Sequence, residues 1–384
     1  MKKKIGCVIA YKKNHTNYGT SLVGYALLKK IQQLGYDIEV VNYIKQYSIS
    51  EKIHIGLSQF RVHGWKFLKR RLSSKPHNIN YLKGIENRTK AVEKYKEKKL
   101  YPLFRDYYGY EALKQGSRNY DAVVVGSDQV WLPGGLKTGF FNLLFVDENI
   151  RKIAYASSFG VSEIPSFQRK ETGKYLDRFY RIGVREESGK KIVESLSTKK
   201  AQVVADPTLL LTSEEWTEEI RDSKVNTSTP YIFCYFLGTN PEARAAANEL
   251  KEKTGFKIIT LRHMDEFIET DEKFGDEAPY NVNPEDFVKY IKEAEYILTD
   301  SFHCSAFSIQ FHKRFMTFYR FAIGKKGGRN SRIDSLFSVL QIPQDRIYKG
   351  DIAKISSKID WDSVDNSLNL FRQESINYLR EALK

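Results

Sequence analysis

The sequence predicts an α/β protein built from two Rossmann-like domains that face a cleft, with a mostly helical, basic insertion in the first. Three observations predict it. The chain has 384 residues with 41% hydrophobic content, too long for one ordinary core and suited to two. Short apolar, β-branched runs alternate with segments of helical period along most of its length. The alternation breaks once, over the charged and polar residues 214–230, and then restarts.

In the first half, residues 4–11 read as a strand, 20–34 as a helix ending before Gly35, and 37–43 as a second strand. One such βαβ unit implies a parallel sheet with right-handed crossovers. Residues 50–118 are polar, basic and aromatic, with helical patches, and read as the insertion. Strands are then expected at 121–125, 152–157, 182–185 and 202–205, with a helix at 188–196. In the second half, strands are expected at 231–237, 257–261, 296–299 and 315–319. Helices are expected at 241–254, with Pro241 in the first turn and Gly255 after its end, and at 284–293, capped by Asn283. Further helices are expected from 305, over 332–340 and over 368–383. The domain reading is therefore 1–213, 230–365 and a C-terminal helix over 366–384, with 214–230 as the linker.

Composition narrows the function classes. The 62 basic and 47 acidic residues leave a net charge of +15, concentrated between Lys66 and Lys99. That stretch suits docking to an anionic acceptor or to lipid headgroups, and equally a solvated helical face. No nucleic-acid module is recognisable, and nucleic acid is not expected as a partner. Mean hydropathy is −0.49 and no apolar run approaches the ~18–20 residues needed to span a bilayer. The three lysines at the N-terminus precede an apolar stretch too short for a signal peptide, so a cytoplasmic location is expected. The basic stretch admits a peripheral contact with the inner face of the membrane. Cys7, Cys234 and Cys304 are odd in number and widely spaced, which fits a reducing compartment and neither a disulfide framework nor a cysteine zinc site. The histidines show no metal-ligand spacing, so no metal is expected.

Open α/β sheets bind ligands beyond the carboxyl ends of their strands, so the strand ends are searched first. Asn17-Tyr18-Gly19-Thr20 joins the first strand to the first helix, where free N–H groups can receive an anion or simply be capped. Gly126-Ser127-Asp128-Gln129-Val130-Trp131 follows the most apolar strand. Asp128 suits a sugar hydroxyl or a base, and Trp131 either stacks on a sugar ring or fills the core. Arg185 ends a strand with a planar fork suited to carboxylate or phosphate, or to an ion pair with Glu186, Glu187 or Asp206. Asp300-Ser301-Phe302-His303 brings a carboxylate, a hydroxyl and an imidazole into one turn, and the imidazole can bind phosphate or move a proton near neutral pH. Arg262 ends another strand. Cys304 beside His303 invites a cysteine–histidine reading, which neighbouring positions at a helix start disfavour.

Taken in order, Asn17-Tyr18-Gly19, the strand running into Gly126-Ser127-Asp128-Gln129-Val130-Trp131, the segment Val184-Arg185-Glu186-Glu187-Ser188, Asp206-Pro207-Thr208 and Thr299-Asp300-Ser301-Phe302-His303 resemble the polysaccharide pyruvyl transferase family. The resemblance runs from about residue 5 to about residue 340. It implies a GT-B-like fold and transfer of pyruvate from phosphoenolpyruvate to two hydroxyls of a sugar. The product is a ketal on a capsule or exopolysaccharide, or on a lipid-linked precursor. No cofactor is implied beyond phosphoenolpyruvate as the donor substrate.

The resemblance further implies His303 and Asp128 as catalytic residues. Arg185, Ser301, Phe302, His303 and Arg262 fall on the donor side, and Asn17, Gly19, Ser127, Asp128 and Trp131 on the acceptor side. Family members often carry arginine where this chain has Ser301, which leaves Arg262, Lys325, Lys326, Arg329 and Arg332 as the cations available in its place. Two other readings use the same fold: a GT-B glycosyltransferase with a nucleotide-activated sugar, and a non-catalytic glycan-binding protein.

Overall fold

The computed structural model describes residues 2–46, 79–136, 139–264, 267–320 and 330–384. Two parallel sheets organise them. The first contains β1 (Lys4–Val8), β2 (Asp37–Ile44), β3 (Phe104–Tyr108), β4 (Ala122–Asp128), β5 (Arg151–Ser157), β6 (Arg181–Val184) and β7 (Ala201–Val203). Their order is β3-β2-β1-β4-β5-β6-β7. The second contains β8 (Tyr231–Tyr235), β9 (Lys257–Thr260), β10 (Tyr296–Thr299) and β11 (Arg314–Thr317), in the order β11-β10-β8-β9. The strand order reverses once in each sheet, between β1 and β4 and between β8 and β10. Such switch points open a crevice at the carboxyl ends of the strands.

The interior strands were legible because both faces are covered. In β4 the run Ala122–Ser127 is buried throughout, and all of β8 is buried. Burial on both faces selects continuous apolar runs over alternation. Strand β3 shows the converse. It lies within the stretch expected as helical insertion, yet it pairs with β2 from Val40↔Phe104 to Ile44↔Tyr108. Only Tyr107 of β3 is buried, so this edge strand carries no apolar run. The same stretch supplies the helix Ile79–Lys99, whereas residues 50–78 lie outside the described residues.

Two further differences have plain causes. Residues 214–230 do not run as linker from the start, because Ser213–Glu219 is helical, closed by a capping box between Thr212 and Glu215. Trp216 carries that helix into the core, where its Nε1 donates to Thr208 O at 2.8 Å and its ring meets Phe307. Residues Ser166–Asp177 form a helix whose buried positions are Gln168, Thr172, Gly173 and Leu176, too polar to register as a stripe.

The two lobes are joined by buried polar bridges as well as apolar packing. Tyr18 of the first lobe stacks on Phe287 of the second, with ring centroids 4.8 Å apart. Arg88, on the helix Ile79–Lys99, donates to the carbonyls of Tyr280 and Pro279 at 2.9 and 3.1 Å. Its guanidinium also lies 5.1 Å from the Tyr18 ring centroid, a cation–π distance. On the same helix Lys96 donates to the carbonyls of Lys12 and His15, and Lys99 pairs with Glu219 and Glu285. Several cations of the basic stretch thus act within the protein. The C-terminal helix Trp361–Leu383 returns to the first lobe, where Tyr378 Oη donates to Ala154 O. On that helix Arg372 links Leu209 O to Gln310 Oε1. Among the described residues no helix is long and apolar enough to cross a membrane.

Candidate active site

The switch point of the first sheet places Asn17, the helix Tyr18–Gln33 and Asp128 side by side. Asn17 caps the helix, its Oδ1 accepting from Thr20 N at 3.3 Å. Asp128 ends β4 with φ +76°, a left-handed backbone that Asp tolerates better than most residues. Its carboxylate accepts from Thr20 Oγ1 at 3.0 Å and lies 3.6 Å from Arg185 Nη2. A pocket of about 240 Å³ opens beside it, lined in part by Tyr11, Lys12, His15, Asn17, Thr20 and Phe141.

Strands β6 and β7 deliver the charges behind this edge. Arg185 follows β6 and is 4% exposed. It donates from Nη1 to Asp206 Oδ2 at 2.8 Å, while Nη2 and Nε make no hydrogen bond. Its guanidinium lies 4.8 Å from the centroid of Phe302. Asp206 follows β7 and also accepts from Thr208 N and Oγ1. Burial alone would raise the Asp206 carboxyl, but His303 and Arg185 overcome it and hold the group well below the usual carboxylate range. Asp128 is lowered in the same way, with burial opposed by Arg185, His303 and Arg332. Glu186 goes the other way: its burial outweighs Arg185 and the hydroxyl of Ser158, and the carboxyl is raised.

The second lobe contributes the turn after β10. Asp300 clamps the adjacent strand end, accepting from Leu237 N and Gly238 N at 2.7 Å each, and Arg320 donates to its backbone carbonyl at 2.9 Å. This carboxylate is committed to holding β8 and β10 together at their switch point. Ser301 caps the helix Phe302–Gln310, its Oγ accepting from Cys304 N at 3.5 Å. His303 crosses to the first lobe. A Cβ placed on Gly19 would lie only 2.8 Å from His303 Cγ, so the approach depends on the missing side chain. His303 Nε2 faces Asp206 Oδ2 at 3.6 Å and has no hydrogen bond.

The structure therefore brings Asp128, Arg185, Phe302 and His303 into one cluster, with Asn17 and Gly19 at its edge. It sends others elsewhere. Trp131 does not stack on a sugar: it is 1% exposed, packed on Phe159 and Phe179, and its Nε1 donates to Phe141 O at 3.0 Å. A ring held on its faces and at its polar edge is core. Ser127 is not offered to an acceptor either, since its buried hydroxyl donates to Ala156 O at 2.9 Å. The Ser301 hydroxyl is turned into its own helix as a cap. Gly19 contacts His303 rather than open space. Arg262 donates to Tyr280 Oη at 2.7 Å and to Glu272 O at 2.9 Å, and lines a hollow with Asn17 and Arg88 that shares no residue with the hollow at Phe302. Lys325, Lys326 and Arg329 lie outside the described residues.

Cys304 is fully buried and its thiol is pushed up to about 12 by burial, which removes the cysteine–histidine reading. Among the described residues there is no cluster of histidine, cysteine and carboxylate groups fit to hold a metal ion. The sequence offered Asp206 only as one of three ion-pair partners for Arg185; the structure makes that pair and sets the same carboxylate 3.6 Å from His303. The signal for Asp206 was a short strand ending in Asp-Pro-Thr.

Two parallel sheets with a polar cluster between their switch points define a two-lobed α/β protein. The chain belongs to the polysaccharide pyruvyl transferase family, whose model matches residues 17–320, and so to the transferases. No curated protein matches the sequence closely enough to count as a relative. Among solved structures, UDP-GlcNAc 2-epimerase from Neisseria meningitidis, bound to UDP-GlcNAc, is similar at 10% identity, covering 98% of this chain and 100% of its own with a TM-score of 0.47. The UDP-GlcNAc 2-epimerase from Methanocaldococcus jannaschii is similar at 13% identity, covering 95% and 93%, with a TM-score of 0.46.

Proposed function

We propose that the protein transfers pyruvate from phosphoenolpyruvate to two hydroxyls of one sugar in a surface polysaccharide or its precursor, closing a ketal. One observation carries this reading. Asp128 and Arg185 of the first lobe and His303 of the second meet in one cluster, and His303 Nε2 and two nitrogens of Arg185 are left without hydrogen bonds. An acid, a carboxylate and an anion-binding fork are what this transfer requires.

In the proposed reaction His303, oriented by Asp206, protonates the methylene carbon of the enol. The positive charge that develops on the adjacent carbon is attacked by an acceptor hydroxyl, which Asp128 orients and relieves of its proton. Phosphate then leaves, and the second hydroxyl attacks the same carbon. Of the two hydroxyl protons, one is balanced by the proton gained at the new methyl group and the other leaves with phosphate. Arg185 holds an anionic group of the donor through Nη2. The 240 Å³ pocket beside Asp128, with Tyr11 and Phe141 on its walls, is the place for the acceptor sugar. Burial would raise the Asp128 carboxyl, but Arg185, His303 and Arg332 lower it, so it stays ionised and can accept from and orient the hydroxyl.

Mass spectrometry of candidate glycans after incubation with phosphoenolpyruvate tests the reading, by the appearance of a pyruvyl ketal with release of phosphate. His303→Ala should lose turnover on the order of 10²-fold or more. Near-normal turnover in that variant, or thermal stabilisation by a nucleoside diphosphate in place of phosphoenolpyruvate, would sink the proposal.

A further inference from the structure

We propose that Arg332 forms an anion site at the edge of the active cluster and takes a carboxylate or phosphate group of the donor, opposite to the group held by Arg185. That the donor carries both groups rests on the pyruvyl-transfer reading; the anion site itself does not.

Arg332 lies in the first turn of the helix Ser331–Val339 and lines a hollow with Asp300, Phe302, Phe318, Arg320 and Asn330. Its guanidinium carbon is 5.9 Å from the centroid of Phe302, the ring that also carries Arg185 at 4.8 Å and abuts the His303 ring at 5.3 Å. Arg332 and the proposed acid thus have Phe302 as a common neighbour. Among the described residues Arg332 makes no hydrogen bond and no ion pair, and its Nε is buried.

The fully buried arginines here each keep at least one hydrogen bond, even where a nitrogen is left over, as at Arg185 and at Arg346 Nε. Arg88 grips two carbonyls, Arg244 takes both oxygens of Asp271, and Arg346 donates to Ile355 O and Ser357 O. Arg332 is half-buried and its Nε is withdrawn from water without a hydrogen bond, which is unfavourable, and a planar fork is best met by a carboxylate or phosphate. Its environment agrees: burial, then Arg185 and Arg320, push Arg332 down to about 10 against the pull of Asp128 and Glu186. An arriving anion would relieve both the desolvation and the repulsion between cations. Arg185 and Arg332 thus both lie beside the Phe302 ring, which a small ligand with two anionic ends would have to share.

The test is calorimetric titration of the full chain, wild type, Arg332→Gln and Arg332→Lys, with inorganic phosphate and separately with phosphoenolpyruvate. Donor and acceptor KM are measured for each variant that turns over. Removing a cation with no partner among the described residues should leave the melting temperature unchanged or raised, so folding is controlled. Weakening of both probes by tenfold or more in Arg332→Gln, partial recovery in Arg332→Lys, and a rise in donor KM with acceptor KM unchanged support the site. Wild-type binding of both probes that Arg332→Gln leaves unaltered overturns it, with the pyruvyl-transfer reading intact. No binding of either probe to the wild type also overturns it. Binding of phosphate that depends on Arg332, without binding of phosphoenolpyruvate or ketal formation, upholds the anion site and overturns the donor.

Discussion

His303 reaches across the two lobes to rest against Gly19, at a point where any side chain on residue 19 would meet its ring. The first turn of one lobe's leading helix thus sets the position of the other lobe's imidazole. That contact also explains why a glycine stands in a helix, where it is ordinarily unfavourable by about 0.5–1 kcal/mol against alanine.

Gly19→Ala should separate stability from activity. The helix gains from alanine, while His303 is pushed out of line with Asp206. Turnover should fall on the order of 10²-fold, the worth of a positioned acid, with the melting temperature little changed. In a His303→Ala background the same substitution should cost no further turnover. A Gly19→Ala protein with wild-type turnover would show that the contact does not position the imidazole.

Asp206 should govern acid stability. Its folded carboxyl lies well below its ordinary value, against burial and by virtue of His303 and Arg185. A folded value below the unfolded one, which is about 3.9, means stability is fully present above the unfolded value and is lost as pH falls toward the folded one. Asp206→Asn should cost about 3–5 kcal/mol at neutral pH by leaving Arg185 short of its closest partner, and should flatten the acid limb. Melting curves between neutral pH and strong acid for both proteins check this; parallel limbs would show that another carboxylate controls acid unfolding.

Cys304 should be inert. With its thiol raised to about 12 by burial, almost no thiolate exists near neutral pH. Iodoacetamide at pH 8 should leave native turnover unchanged and modify Cys304 only after denaturation. Rapid loss of activity, with the label mapped to Cys304, would contradict the placement.

The parts of the fold that were legible are those where local pattern and tertiary environment agree. Strand β10 and the helices Pro241–Thr254 and Pro284–Glu293 were read to the residue, because apolar runs, N-terminal proline and capping asparagine are local signals. Strand β3 escaped because an edge strand with charged Arg105 and Asp106 outward has no such run. The helix Ser213–Glu219 escaped because charge on its outer face masked a capping box and one buried tryptophan.

The sequence by itself determined two parallel α/β lobes, and it marked the strand ends as the place to search and His303, Asp128 and Arg185 as residues to examine. It could do so because buried strands and the turns that follow them are written in consecutive residues. Only the tertiary structure decided that Trp131 and Ser127 turn into the core, that Asp206 joins Arg185 to His303, and that Arg332 stands beside Phe302 with no hydrogen-bond partner among the described residues. The physical reason is direction and distance. A strand end shows which residues are near an edge, but the side on which a side chain lies, and what meets it from 100 residues away, are set by packing between the sheets.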